Sequence, residues 1–315
     1  MQAPGPGSRA SPVTRTPAAS IVPPPMRLFD AHNHLHDERF GGAQDLLLAA
    51  CRDVGVVRMV VNGSCPGDWP AVADLARRHP GLIIPAFGVH PWYVHQRGED
   101  WQDSLRRHLD ASPEAVVGEI GLDRWILDCP PAARAAVSPE LADWPAAGLE
   151  EQREVFAWQL ALAAERGVSA SIHCLQAWGP LHDQVRNGPR PAVWLLHSYG
   201  GPVELVEPLA RFGAHFSFPG YFLHPRKARQ RDVFQRIPLD RLLAETDAPD
   251  QRLPARLDWG VETDVLHAPD GRPLNHPSNL RWVVEGLARL RGVSAEALAP
   301  TLEENFNRLF PPPRA

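Results

Sequence analysis

A closed (β/α)8 TIM-like barrel is the architecture this sequence predicts: one α/β domain with long insertions after its fourth and eighth strands. Three observations predict it. Eight short apolar runs recur between residues 28 and 246, segments of helical period separate them, and ionisable residues gather where the runs end. Strands alternating with helices pair in parallel, and eight such units are the number that closes a barrel. Counting alone leaves an open doubly wound sheet as the alternative.

The predicted strands cover residues 28–32, 56–61, 82–89, 115–120, 168–173, 192–197, 214–218 and 242–246. Between them, apolar residues spaced by three and four mark helices over 43–51, 70–78, 101–109, 149–166, 177–185, 203–212 and 226–236. Helices over 277–290 and 294–309 then cover the last strand and seal the C-terminal end. Two stretches exceed the minimal repeat. Residues 124–148 hold four prolines, and residues 250–276 contain His267, Gly271 and Pro273. Both follow strands, which places them as candidate lids on the face where barrel active sites form. Residues 1–25, with seven prolines, Arg9, Arg15, no acid and no apolar segment, predict a disordered tail, leaving 26–312 for the barrel.

The 315 residues include 32 Lys+Arg against 37 Asp+Glu, a net charge of −5, and 44% hydrophobic residues, enough for a large core. Thirty-four Pro and 24 Gly fall short of a low-complexity composition, which excludes collagen-like and wholly disordered chains. The mild acidity offers no general field to a polyanion, so contact with nucleic acid must come from a local basic patch or bound metal. Cys51, Cys65, Cys129 and Cys174 lack Cys-x-x-Cys spacing, which excludes a zinc-finger pattern and argues against a disulfide scaffold. A reducing cytoplasm is the expected compartment. No run approaches the ~18 apolar residues a membrane helix needs, and neither a membrane nor an obligate protein partner is expected.

The chemistry lies at the strand ends. Strand one ends in Asp30-Ala31-His32-Asn33-His34, strand three in Gly88-Val89-His90-Pro91 and strand four in Gly118-Glu119-Ile120-Gly121-Leu122-Asp123. Strand five ends in His173-Cys174, strand six in His197-Ser198 and strand eight in Glu245-Thr246-Asp247-Ala248-Pro249. In a closed parallel barrel these ends share one face, so His32, His34, Glu119, His173, His197 and Asp247 converge as a metal-ligand set. The period-2 pleat sends both imidazoles of His32 and His34 to the same side. Glu119 has two oxygens and can bridge two divalent cations. The mixed nitrogen and oxygen shell suits Zn²⁺ or Mn²⁺ and admits Mg²⁺. Core filling does not explain these ionisable groups, because burying them unpaired is costly. Asp247 and Glu119 are the expected catalytic carboxylates, with Asp247 able to take a proton from bound water, whose pKa falls on coordination. His90 is read as a substrate-binding residue, and Cys174 as a buried thiol on the opposite side of its strand.

These blocks, in this order, resemble a TatD-type metal-dependent deoxyribonuclease within the amidohydrolase-like barrel superfamily, from about residue 27 to 310, the tail Asn305-Phe306-Asn307-Arg308-Leu309-Phe310 included. The resemblance implies a divalent metal centre whose ligands match His32, His34, Glu119, His173, His197 and Asp247 one by one, and hydrolysis of DNA, often as an exonuclease. Leu175 stands where many members have Arg, Arg124 where they have an aromatic, and Ser198-Tyr199-Gly200-Gly201 where they have Cys-Phe-Ser-Gly. These departures touch the substrate-facing rim and leave the ligand positions intact. Glu119, in place of the carbamylated lysine of other amidohydrolase relatives, favours the TatD-like branch.

For the substrate, Arg124 and Trp125 open the first insertion and are candidates for selection. Arg226 and Lys227 begin a basic run that either holds a phosphate backbone or forms a solvated helix face. The leading expectation is cleavage of DNA by metal-activated water. The alternatives are a metal-dependent hydrolase of a small phosphate ester, carboxylic ester or amide, and a non-catalytic metal-binding scaffold.

Overall fold

The computed structural model describes residues 26–137 and 141–312; the expected tail 1–25 lies outside them. Eight parallel strands follow one another in strict order: β1 (Leu28–Asn33), β2 (Val56–Asn62), β3 (Ile83–Phe87), β4 (Val116–Asp123), β5 (Ala170–Leu175), β6 (Trp194–Leu196), β7 (Ala214–Pro219) and β8 (Leu242–Glu245). The ladder is continuous from β1 to β8, and the seam between β8 and β1 is bridged by Asp247 N–H to His32 O (3.0 Å) and His34 N–H to Ala248 O (2.8 Å). Buried Asp30 reinforces that seam by accepting from the Thr246 amide (2.9 Å), the Thr246 hydroxyl (2.6 Å) and the Asn33 amide (3.1 Å). A buried carboxylate with this many donors is satisfied rather than orphaned. The result is a barrel, closed where the count of strands left closure open.

Helices α1 (Gln44–Asp53), α2 (Trp69–Arg78) and α3 (Trp101–Ala111) lie between the first four strands. The first insertion forms short helices, α4 (Trp125–Asp128) and α5 (Pro131–Val137), where proline count predicted only a long loop. Pro131 opens α5, a position where its missing N–H has no helical partner to lose. Then come α6 (Leu149–Arg166), α7 (Trp178–Asn187), α8 (Val206–Arg211), α9 (Ala228–Phe234), α10 (Leu280–Arg291) and α11 (Ala295–Leu309). The second insertion carries an antiparallel hairpin, β9 (Val265–His267) with β10 (Pro273–Asn275). Asn275 ties it to the barrel, donating from its backbone to Pro249 O and from its side chain to Thr246 O, each at 2.8 Å.

One apolar layer fills the space between strands and helices, with Trp69, Phe87, Trp194 and Phe216 fully buried. A second cluster fills the barrel itself: Phe29, Ala31, Val60, Ile84, Val116, Leu195 and Leu243, from β1, β2, β3, β4, β6 and β8. Phe306 and Leu309 of the last helix and Phe310 just after it close that cluster. The C-terminal helices were expected to seal the C-terminal end; α11 instead plugs the mouth at the strands' N-terminal ends. Its apolar face finds matching apolar surface there, whereas the other mouth is polar. Each such side chain removed from water contributes roughly 1.5–3 kcal/mol. No helix among the described residues is long and apolar enough to cross a membrane.

Candidate metal centre

β1 delivers His32 and His34 to the C-terminal mouth. Its register on β2 slips between Asp30 and Asn33, and the two Nε2 atoms end 3.3 Å apart. Glu119 comes from β4, its Oε2 3.4 Å from His32 Nε2 and 3.2 Å from His34 Nε2. Its Oε1 points the other way, 2.8 Å from His197 Nε2 and 3.2 Å from His173 Nδ1. Asp247 Oδ1 lies 3.5 Å from both His32 Nε2 and His34 Nε2. Thus all six residues of the expected ligand set, from five strand ends, meet in one place. Gly121 permits it: at φ 148°, a Cβ there would stand 1.9 Å from the His173 carbonyl oxygen, so only glycine lets β4 lie this close to β5.

Local geometry around the ligands is strained. Ser198 (φ 46°), Asp247 (φ 51°) and Gln251 (φ 45°) all adopt the left-handed region, which non-glycine residues hold only where surrounding structure compels it. They are joined by side chains: the Gln251 amide donates to Asp247 Oδ2 and to Ser198 Oγ, each at 2.6 Å, and Ser198 Oγ donates to Glu245 Oε1 at 2.5 Å. Asp247 is thereby held with Oδ2 occupied and Oδ1 facing the centre.

The far nitrogens of the imidazoles show whether this donor set fits a cation. His34 Nδ1 donates to Asn62 O (2.7 Å), and His173 Nε2 donates to Asp123 Oδ2 (3.0 Å). When neutral, each therefore turns a lone pair inward, at Nε2 and Nδ1 respectively. His32 Nδ1 is bonded to Ser171 Oγ (2.8 Å) and can do the same. Four donors in a tetrahedral shell at ~2.0–2.1 Å from an ion stand about 3.3 Å apart, and the inward atoms here are spaced by 2.8–3.5 Å. The set fits divalent metal. His90, expected on the substrate side, reaches the same cluster with Nε2 3.4 Å from Glu119 Oε1. Its Nδ1, however, accepts from the Trp92 amide (3.2 Å), so neutral His90 offers the centre an N–H and no lone pair.

Without a cation the cluster is an ion network. Burial opposes the charge on Glu119, but the fields of His197, His90 and His32 and a bond from His173 hold it well below the usual carboxylate range. Burial likewise opposes the charge on His34 and His173, yet a bond to Glu119, joined at His173 by one to Asp123, lifts both to about 9. Burial lowers His32 to about 4, with His197 adding to the effect. Burial raises Asp247 to about 7, against the fields of His197 and His34. An incoming cation must displace the protons on His34, His173 and His197, the last also held well above the usual imidazole range by Glu119 and Glu245. Divalent-metal affinity should therefore climb with pH through about 9, by up to about tenfold per pH unit for each proton displaced. Calorimetric titration at a series of pH values, in buffers of different ionisation heat, reads affinity and proton release together; a pH-independent Kd without proton release would contradict it.

Several contributors carried no role in the sequence reading. Asp123 braces His173 and also accepts from Trp92 Nε1 (2.7 Å). Glu245 accepts from the Ser198 amide (2.7 Å) and the Ser217 hydroxyl and stands 3.7 Å from His197 Nδ1. The pleat signals them in part: Asp123 is four residues past Glu119, Glu245 two before Asp247, and Ser171 two before His173, spacings that share a face. The remaining candidates follow the ends of β4 and β7, outside the ligand cluster. Arg124 is exposed and paired with Asp128 (2.9 Å), and Trp125 packs beside Trp92 with ring centres 6.2 Å apart. Arg226 and Lys227 stand over Tyr221.

A profile of the family described as TatD related DNase matches residues 29–311. The 3'-5' ssDNA/RNA exonuclease TatD of Erwinia tasmaniensis is 29% identical over 291 residues, 90% of this chain and 99% of that protein. The uncharacterized metal-dependent hydrolase YjjV of Escherichia coli K12 is 26% identical over 286 residues, 90% of this chain and 98% of that one. The crystal structure of YjjV shares the fold, with a TM-score of 0.75 at 24% identity over 91% of this chain and 99% of that chain. A family match along nearly the whole barrel, over a mouth built for divalent metal, leads to one conclusion: the chain belongs to the TatD-related DNase family and is a metal-dependent hydrolase acting on ester bonds.

Proposed function

We propose that the chain hydrolyses phosphodiester bonds of single-stranded DNA from an end, using two divalent cations (Mg²⁺, Mn²⁺ or Zn²⁺) held by His32, His34, Glu119, His173, His197 and Asp247. One observation carries this reading: Glu119 turns Oε2 toward His32 and His34 and Oε1 toward His173 and His197, dividing the donors into two groups that share one carboxylate. Asp247 completes the first group. The exonuclease activity named for the Erwinia relative supports the choice of substrate. When bound, paired cations supply Lewis acidity toward a phosphoryl oxygen and lower the pKa of water.

The protein's own groups then have distinct tasks. Glu119, strongly acidic, stays an anion and serves as the shared ligand. Asp247, raised to about 7 by burial, can hold or release a proton at Oδ1 near neutral pH, and a neighbouring cation would shift it downward. His90 donates from Nε2 to an anionic oxygen of the substrate. Trp125, beside Trp92 at the mouth, offers a base a stacking face, and Arg124 accompanies it at the edge.

Incubating the purified protein with single- and double-stranded DNA, RNA, a small phosphodiester and a panel of carboxylic esters and amides, with each cation and with chelator, tests the proposal. Mononucleotides released from single strands only when metal is present are the expected result. Turnover confined to the small esters or amides would sink the nuclease reading.

A further inference from the structure

Around the mouth, the loops after β7 and β8 carry a cluster of cations that no described carboxylate neutralises. Arg226 and Lys227 lie over the same Tyr221 ring, at 5.3 and 4.5 Å from its centre, and Arg226 also donates to the Tyr221 hydroxyl (2.8 Å). His224 stands edge-on to that ring and donates from Nε2 to the Arg252 carbonyl (3.1 Å). Burial lowers the His224 pKa, and the fields of Arg226, Arg252 and Lys227 lower it further, so the local potential is positive. A solvated helix face looks different in this protein. Arg78, Arg153, Arg211 and Arg289 each pair with an acid three or four residues earlier, at Asp74, Glu150, Glu207 and Glu285. Among the described residues, Arg226, Lys227 and Arg252 have no ion pair. Arg231, from the same basic run, is bound to the Phe222 and His224 carbonyls, which fixes the loop that presents the others.

The cluster is joined to the metal centre. Gln251 donates to Asp247 Oδ2, and Arg252 is the next residue. Arg252 is five positions after Asp247, about 17 Å at full extension. The Trp92 and Trp125 pair, after β3 and β4, lies on the opposite side of an eight-stranded barrel, where bases rather than phosphates would be accommodated.

We infer that Arg226 and Lys227, with Tyr221 as their platform, and Arg252 beside them form a phosphate track that holds the single strand's backbone beyond the reacting bond. This rests on the nuclease reading and deepens it by assigning the non-reacting phosphates a site. Cations held by an aromatic face keep their charge available to a ligand, whereas a carboxylate partner would compete for it.

Lys227 is the only lysine in the chain, which gives a direct test. A labelled single strand of about 20 nucleotides and a short oligonucleotide of about 4 are compared on the parent, Arg226→Glu/Lys227→Glu and the milder Arg226→Gln/Lys227→Gln. Charge reversal should raise KM for the long strand about tenfold or more, with a smaller rise for the short one, and should shrink the log–log salt slope by about 0.7 for each phosphate no longer neutralised. An aldehyde-bearing strand treated with cyanoborohydride should attach at Lys227, and the adduct should vanish in Lys227→Arg while binding persists. Binding read by fluorescence anisotropy separates the two claims. A parent that binds the strand without cutting it defeats the nuclease reading and leaves the track standing; a charge-reversed protein with unchanged anisotropy and salt slope defeats the track alone.

Discussion

Glu119→Ala should lose stoichiometric divalent metal and lower kcat/KM by at least about a thousandfold, since metal supplies several kcal/mol to such reactions and each 1.36 kcal/mol is tenfold in rate. The size of the effect follows from its position. Its two oxygens are 2.8–3.4 Å from four histidine nitrogens of both donor groups, and no neighbour could replace it for both. Removing it also withdraws the anion that supports the charge of His34, His173 and His197. Glu119→Gln keeps the volume but offers one good donor oxygen, so it should retain part of the metal while losing most activity. Elemental analysis beside initial rates measures both. A Glu119→Ala protein with two equivalents of tightly held metal and parental turnover would remove the shared-carboxylate argument.

Asp247→Asn should fall second hardest, about 10²–10⁴-fold in kcat, the range associated with loss of a positioned proton carrier. The amide preserves shape, and its oxygen can still accept from Gln251, as Asp247 Oδ2 does. The other side of the group would then face His32 and His34 without a basic oxygen. Substrate KM should change little, because the substituted atom acts on the proton and not on the strand. Metal content separates the two parts of the residue: near-normal occupancy with slow turnover marks proton transfer, whereas loss of one equivalent marks ligation. A kcat within a few-fold of the parent would show that the proton goes elsewhere.

Much of this site was legible along the chain because barrel strands end on a common face. His32 with His34, and Glu119, His173, His197 and Asp247, each stood at the end of an apolar run, so topology alone implied their meeting. Strand limits were less legible: β6 stops at Leu196 and β8 at Glu245, leaving His197 and Asp247 just beyond the ladder. Asp247 and Ser198 take a left-handed backbone there, and no apolar pattern announces it. His90 shows a different limit. Its position was visible, but whether it offers a lone pair or a proton depends on an amide two residues on, a matter of loop geometry. Gln251 was not singled out, because its 2.6 Å bond to Asp247 arises from a turn rather than from a period. The basic run at 226–236 could be seen but not interpreted, since pairing with acids is a property of neighbours in space.

By itself, the order of residues determined a barrel of eight units and which ionisable groups stand at its mouth, because alternation and strand ends are one-dimensional properties set by local pleat and period. Tertiary structure alone decided which oxygen of Glu119 faces which histidines, which cations lack an anion, and that the last helix plugs the apolar mouth. Those outcomes depend on the directions of side chains brought together from distant parts of the chain, and direction is set only when the seam between β8 and β1 closes.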